Sequence, residues 1–84
     1  MSIYAIRNEK YVGRIDFSEF RGRVHIQWIE VIQEERKAGI ARELVKEMLK
    51  QFDADGIEYA DVDWGMTTPD GTTLKAAMDR ELGR

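Results

Sequence analysis

The chain has no cysteine, which excludes disulfides, zinc thiolates and a cysteine nucleophile. Its single histidine leaves no cluster for a metal, so none is expected. No apolar run approaches the length of a membrane span, and the opening MSIYAIRNEK lacks the apolar stretch of a signal peptide. A cytoplasmic compartment is the expectation. Positive charge is scarce too: the net charge is -3, the isoelectric point lies near 5.1 and no basic stripe appears, which disfavours nucleic acid and anionic membranes as partners. Repeats, low-complexity tracts and linkers are also missing. What remains is 84 residues, 43% hydrophobic and 35% charged, the balance of an ordinary soluble domain. Residues 1–84 read as one domain with a small core, since a chain of about 60 residues buries only ~60% of its unfolded surface and this one is little longer.

Three short strands are predicted first: Ser2 to Arg7, Tyr11 to Phe17 and Val24 to Ile32, joined by tight loops at Asn8 to Lys10 and at Arg21 to Arg23. Alternation in the second strand sets Tyr11, Gly13, Ile15 and Phe17 against Arg14 and Asp16. In the third, Val24, Ile26 and Trp28 oppose His25 and Gln27, and Trp28 and Trp64 read as core residues. The apolar set then continues at Ile29 and Val31, so the period of two slips. Either a β-bulge near Trp28 and Ile29 or a plain strand end accounts for it. From Ala38 to Asp53 the period becomes helical, with Ile40, Leu44, Val45, Met48, Leu49 and Phe52 on one face and Gly56 as the left-handed cap. Ile57 to Trp64 reads as a strand, parallel to the third by a right-handed crossover, and as an exposed edge. Thr68 and Pro69 open a last helix to Leu82 that buries Leu74, Ala77, Met78 and Leu82. The expected fold class is α/β (α+β), ordered βββαβα. Arg14, Asp16, His25, Gln27, Glu30, Asp61 and Asp63 predict a sheet face that is wet or covered by a partner.

Between the third strand and the first helix lies Gln33 to Ala41, QEERKAGIA. A loop ending at a helix N-terminus presents unpaired N–H groups and the positive end of the helix dipole, which together attract phosphate oxygens. Gly39 and Ala41 are small enough to let an anion reach that backbone. The plain alternative is a strand-to-helix turn whose Arg36 and Lys37 are solvated among glutamates.

The run IEVIQEERKAGIARELVKEML, with Arg36, Gly39 and Ala41 in the spacing RxxGxA and Val31 five positions before Arg36, resembles the acetyl-CoA-binding segment of the GNAT superfamily of N-acetyltransferases. The closing ELG, Glu81 to Gly83, is similar to that superfamily's last helix. The resemblance implies acetyl-CoA as acyl donor. Backbone amides of Arg36, Lys37, Ala38, Gly39, Ile40, Ala41 and Arg42 would cradle the pyrophosphate, and the backbone of Val31 and Gln33 would pair with the pantetheine arm. It also implies a bulge that parts the third strand from its parallel neighbour. His25 aligns with the superfamily's glutamate base on the same strand, and imidazole as a class titrates in the useful range. Glu30, beside the expected parting, is the other candidate base; both are equally plausible as solvated surface residues. Asp61 and Asp63 would draw in a cationic acceptor. Asp79 stands where many members carry a general-acid tyrosine, so the thiolate would leave unaided or no turnover would occur. Two helices that usually wall the acceptor pocket, and two final strands, have no counterpart in the sequence. The implied function is N-acetyl transfer to a primary amine, a protein lysine or N-terminus rather than a small metabolite. The alternatives are a non-catalytic CoA-binding or protein-interaction module, including a phage-type inhibitor, and a structural domain whose RxxGxA is a simple turn. A homodimer through the sheet edge or face is a further expectation.

Overall fold

The computed structural model describes residues 1–35, 39–65 and 69–83. Its elements are β1 (Ser2–Arg7), β2 (Lys10–Phe20), β3 (Arg23–Val31), a single 3-10 turn (Gln33–Glu35), α1 (Ile40–Gln51), β4 (Val62–Trp64) and α2 (Pro69–Leu82). The sheet runs β1-β2-β3-β4, antiparallel through β3 and parallel between β3 and β4. This is the mixed βββαβα architecture expected.

Both hairpins turn on two residues rather than three. Asn8 and Glu9 have φ of 52° and 63°, and Arg21 and Gly22 have 53° and 80°. Positive φ at both central positions suits the twist of the flanking strands. Lys10 and Arg23 therefore belong to the strands, paired with Arg7 and Phe20, and β2 extends beyond the predicted Phe17.

Two bulges set which side chains reach the core. In the β1–β2 ladder Ala5 faces Gly13 and Ile6 faces Tyr11, leaving Val12 as the extra residue. In the β2–β3 ladder Asp16 faces Trp28 and Phe17 faces Ile26, leaving Gln27 extra. The slip in period is thus a bulge, centred just before the predicted place. Because an extra residue reverses the alternation, Tyr11 and Trp28 lie on the polar face, not the apolar one. Trp28 is 44% exposed, which corrects its reading as core; Trp64 is half-buried against the core.

The helices cover one face only. Ile40, Leu44, Val45 and Met48 of α1, with Phe52 after it and Met78 of α2, pack on Ile15, Phe17, Val24 and Ile26. The Phe17 and Phe52 rings meet edge to face at 5.9 Å. Leu74 is partly buried, whereas Leu82 is exposed, contrary to expectation. The predicted strand from Ile57 shrinks to Val62–Trp64. Ile57 buries its side chain in a turn, and Tyr59–Asp61 close a 3-10 turn in which the Asp61 carboxylate accepts the Glu58 N–H at 3.0 Å. Gly56, at φ 75°, ends the 3-10 turn Asp53–Asp55 that follows α1, not α1 itself.

Candidate functional site

Pairing of β3 with β4 covers Val24, His25 and Ile26, opposite Val62, Asp63 and Trp64. One further bond follows, from the Gly65 N–H to the Ile26 carbonyl at 3.2 Å. At Gln27 the bulge begins, and β3 continues to Val31 in ladder with β2. Among the described residues the parallel ladder thus ends at Ile26 and Gly65, while β3 runs on to Val31. That is where a connection into a helix leaves room for a ligand in open α/β sheets.

The chain leaving β3 enters α1 at Gly39, whose φ of 77° is left-handed. A Cβ on Gly39 would meet no atom within 4 Å, so the glycine answers to its backbone angle and not to crowding within the fold. The Gly39 carbonyl accepts the Glu43 N–H at 3.1 Å, the first bond of the helix, and no side chain caps the start. The N–H groups of Ile40, Ala41 and Arg42 therefore have no acceptor within the helix. The Ile40 side chain is buried, leaving only its backbone for a ligand. The Arg42 guanidinium donates to Glu81 of α2, and Lys46 donates to the other oxygen of Glu81 at 2.6 Å. Lys46 and then Arg42 hold the Glu81 carboxyl down at about 2. Val31 is half-buried opposite Gly13, and Gln33 is exposed at the start of its 3-10 turn. Arg36, Lys37 and Ala38 lie outside the described residues.

The two candidate bases share the open face of β3 without meeting. His25 Nδ1 is 3.1 Å from Asp63 Oδ2, its register neighbour on β4. Glu30 stands beyond the bulge opposite Arg14. Its Oε2 accepts the Tyr11 hydroxyl at 2.6 Å and its Oε1 the Trp28 indole N–H at 2.7 Å. These two bonds, the Tyr11 one larger, hold its carboxyl below the usual range, and burial followed by Glu30 pushes the Tyr11 phenol up to about 12. A carboxylate so engaged is a poor proton acceptor. Asp61 is committed to its local turn, and Asp63 alone of that pair reaches the open face.

Asp79, where a tyrosine was expected by resemblance, accepts the Tyr59 hydroxyl at 2.7 Å and Lys75 at 2.9 Å. Those bonds hold its carboxyl below the ordinary range, while burial and then Asp79 raise the Tyr59 phenol well above its own. A phenol thus stands beside Asp79 after all, on the wall of a groove of about 970 Å3 between α1, α2 and β4. Nothing in the local sequence announces it, because the partners are distant in the chain. Trp28 did carry a signal, the slip in the alternation of β3, whereas Tyr11 carried none, because the bulge at Val12 leaves the apparent alternation of β2 unbroken.

No curated protein and no solved structure matches the chain. The sequence model of the acetyltransferase (GNAT) family matches residues 1–70, which takes in the whole sheet, the bulge and the start of α1. A match over most of the length, on a mixed sheet whose third strand leads through a glycine into the first helix, places this chain in the GNAT acetyltransferase family.

Proposed function

We propose that the protein transfers the acetyl group of acetyl-CoA to a primary amine presented by a protein, a lysine or an N-terminus. The observation carrying this reading is that β3 runs on to Val31 beyond the end of the described β3–β4 ladder at Ile26 and leads on the same connection to the start of α1 at Gly39. The start of α1 suits a pyrophosphate, because its first N–H groups lack acceptors within the helix and lie at its positive end. Gly39, Ile40, Ala41 and Arg42 would hold the anion through their backbone, and Val31 and Gln33 would receive the pantetheine arm. When bound, acetyl-CoA supplies an acyl thioester. His25 is the base this geometry favours over Glu30. With Nδ1 protonated and donating to Asp63, 3.1 Å away, Nε2 is the nitrogen left to take the proton of the incoming ammonium. The amine nitrogen would then bond the acyl carbon as the carbon–sulfur bond breaks, and its second proton would pass to the departing thiolate, with no protein acid required. A second reading, CoA binding without turnover, draws on Asp79 in place of a free tyrosine.

Calorimetric titration with acetyl-CoA and CoA, followed by thiol release with a panel of amines, tests both. Saturable micromolar binding with thiol release supports transfer; binding without release selects the second reading. Gly39→Val should weaken binding at least about tenfold, since a branched side chain resists φ near 77° and crowds the backbone. Unchanged affinity in a folded variant overturns the anion cradle.

A further inference from the structure

The two bulges turn Tyr11 and Trp28 onto the face of the sheet that the helices leave bare, where Tyr4 already lies opposite Arg14. Tyr11 and Trp28 each donate to one oxygen of Glu30, so both rings are fixed beside a carboxylate. Tyr4 joins them, its ring 6.3 Å from that of Tyr11 and tilted by 58°. Tyr4 is 58% exposed, and Ile6, paired with Tyr11, is 59% exposed. Around the rings the charges are Asp16 and Glu30 with Arg14 between them, while His25 with Asp63, and then Arg23 opposite Phe20, lie toward the other end of the strands. Arg14 approaches Asp16 at 3.6 Å and Glu30 at 3.7 Å, outside hydrogen-bond reach of either, and its Nε has no partner. Two carboxylates against one guanidinium leave the patch around the rings negative.

We propose that this face docks a basic segment of a partner protein, with a lysine or arginine side chain of the segment seated against Glu30 among Tyr4, Tyr11 and Trp28. Aromatic rings and a carboxylate attract an organic cation by two separate means, ring quadrupole and charge, and here hydrogen bonds have already ordered both. A second copy of the chain is the poorer occupant, because a twofold contact on this face brings carboxylates toward carboxylates. Nucleic acids and anionic lipids are repelled by the same charge. The inference goes beyond acetyl transfer and is independent of it, so the test omits CoA.

Full-length protein labelled with nitrogen-15 is titrated with a ten-residue peptide alternating lysine and alanine, and with its glutamate counterpart as control. Saturable shifts of the Trp28 indole and of the Tyr4, Tyr11, Arg14 and Glu30 amides are expected with the lysine peptide alone, weakening as salt rises. Tyr4→Lys, at an exposed position on an edge strand, should cost about tenfold in affinity by removing a ring and adding a like charge; Trp28→Ala is the second variant, with the amide spectrum reporting that each stays folded. Shifts confined to Glu34 and Glu35 or to Asp53 and Asp55, equal affinity in both folded variants, or a dimer shifting the same resonances without peptide would each overturn the proposal. Peptide binding that persists while acetyl-CoA fails to bind refutes only the acetyl-transfer reading.

Discussion

The two faces of this sheet are built by the same strands and have opposite economies. On the covered face Ile15, Phe17, Val24 and Ile26 are fully buried beneath α1 and α2, and among the described residues no polar or charged group is buried with them. On the open face, rings and charged groups contact one another through directed bonds while remaining in reach of water. A single bulge serves both. By inserting Gln27 it keeps Ile29 on the apolar side and turns Trp28 to the polar side, and it coincides with the end of the β3–β4 ladder. The lesson is that cohesion resides on one face, while the other is free to carry recognition.

The sharpest way to break that contrast is to remove a large ring from each face in turn. Phe17→Ala should cost about 3–5 kcal/mol in urea unfolding, through lost transfer energy and a cavity against Phe52. Trp28→Ala, a larger deletion by volume, should cost only about 1 kcal/mol, because the ring is already partly solvated and its bond to Glu30 is exposed. Equal losses would abolish the distinction. A smaller effect is expected of Gly13→Ala, where the new Cβ would lie 2.7 Å from the Glu30 carbonyl oxygen. Forcing β2 and β3 apart there should cost about 1–3 kcal/mol and shift the β3 amide resonances in the nuclear magnetic resonance spectrum.

The smallest effect concerns the tie between the helices. Glu81 sits at about 2 against an ordinary 4.5, so its contribution is complete above 4.5 and fades as pH falls toward 2. Urea midpoints measured between pH 5 and pH 2 should fall, and Glu81→Gln should flatten part of that fall. An identical slope in the variant would show that α1 and α2 are held by Met78 and its neighbours alone.

Local periodicity and turn chemistry carried much of the outline. The β1 boundaries, the apolar stripe of α1 and the Pro69 start of α2 were legible because each depends on contacts or dihedral preferences within a few residues. The strand predicted from Ile57 was not, since its first residues resemble a strand in composition yet close a 3-10 turn held by Asp61 and Glu58. Of the site, the spacing RxxGxA made legible a glycine at the junction of β3 and α1, and Gly39 stands there; its left-handed angle carried no signal in the sequence. The engagement of Glu30 by Tyr11 and Trp28, and of Asp79 by Tyr59, was hidden. Each of these bonds depends on register between strands or packing between elements.

The sequence by itself determined the family, the order of elements and the glycine at the start of α1, because short-range patterns encode all of these. Only the tertiary structure decided which residues share a face. A one-residue bulge reverses alternation for everything beyond it, and the exact residue that bulges is settled by the partner strand, not by the strand's own composition.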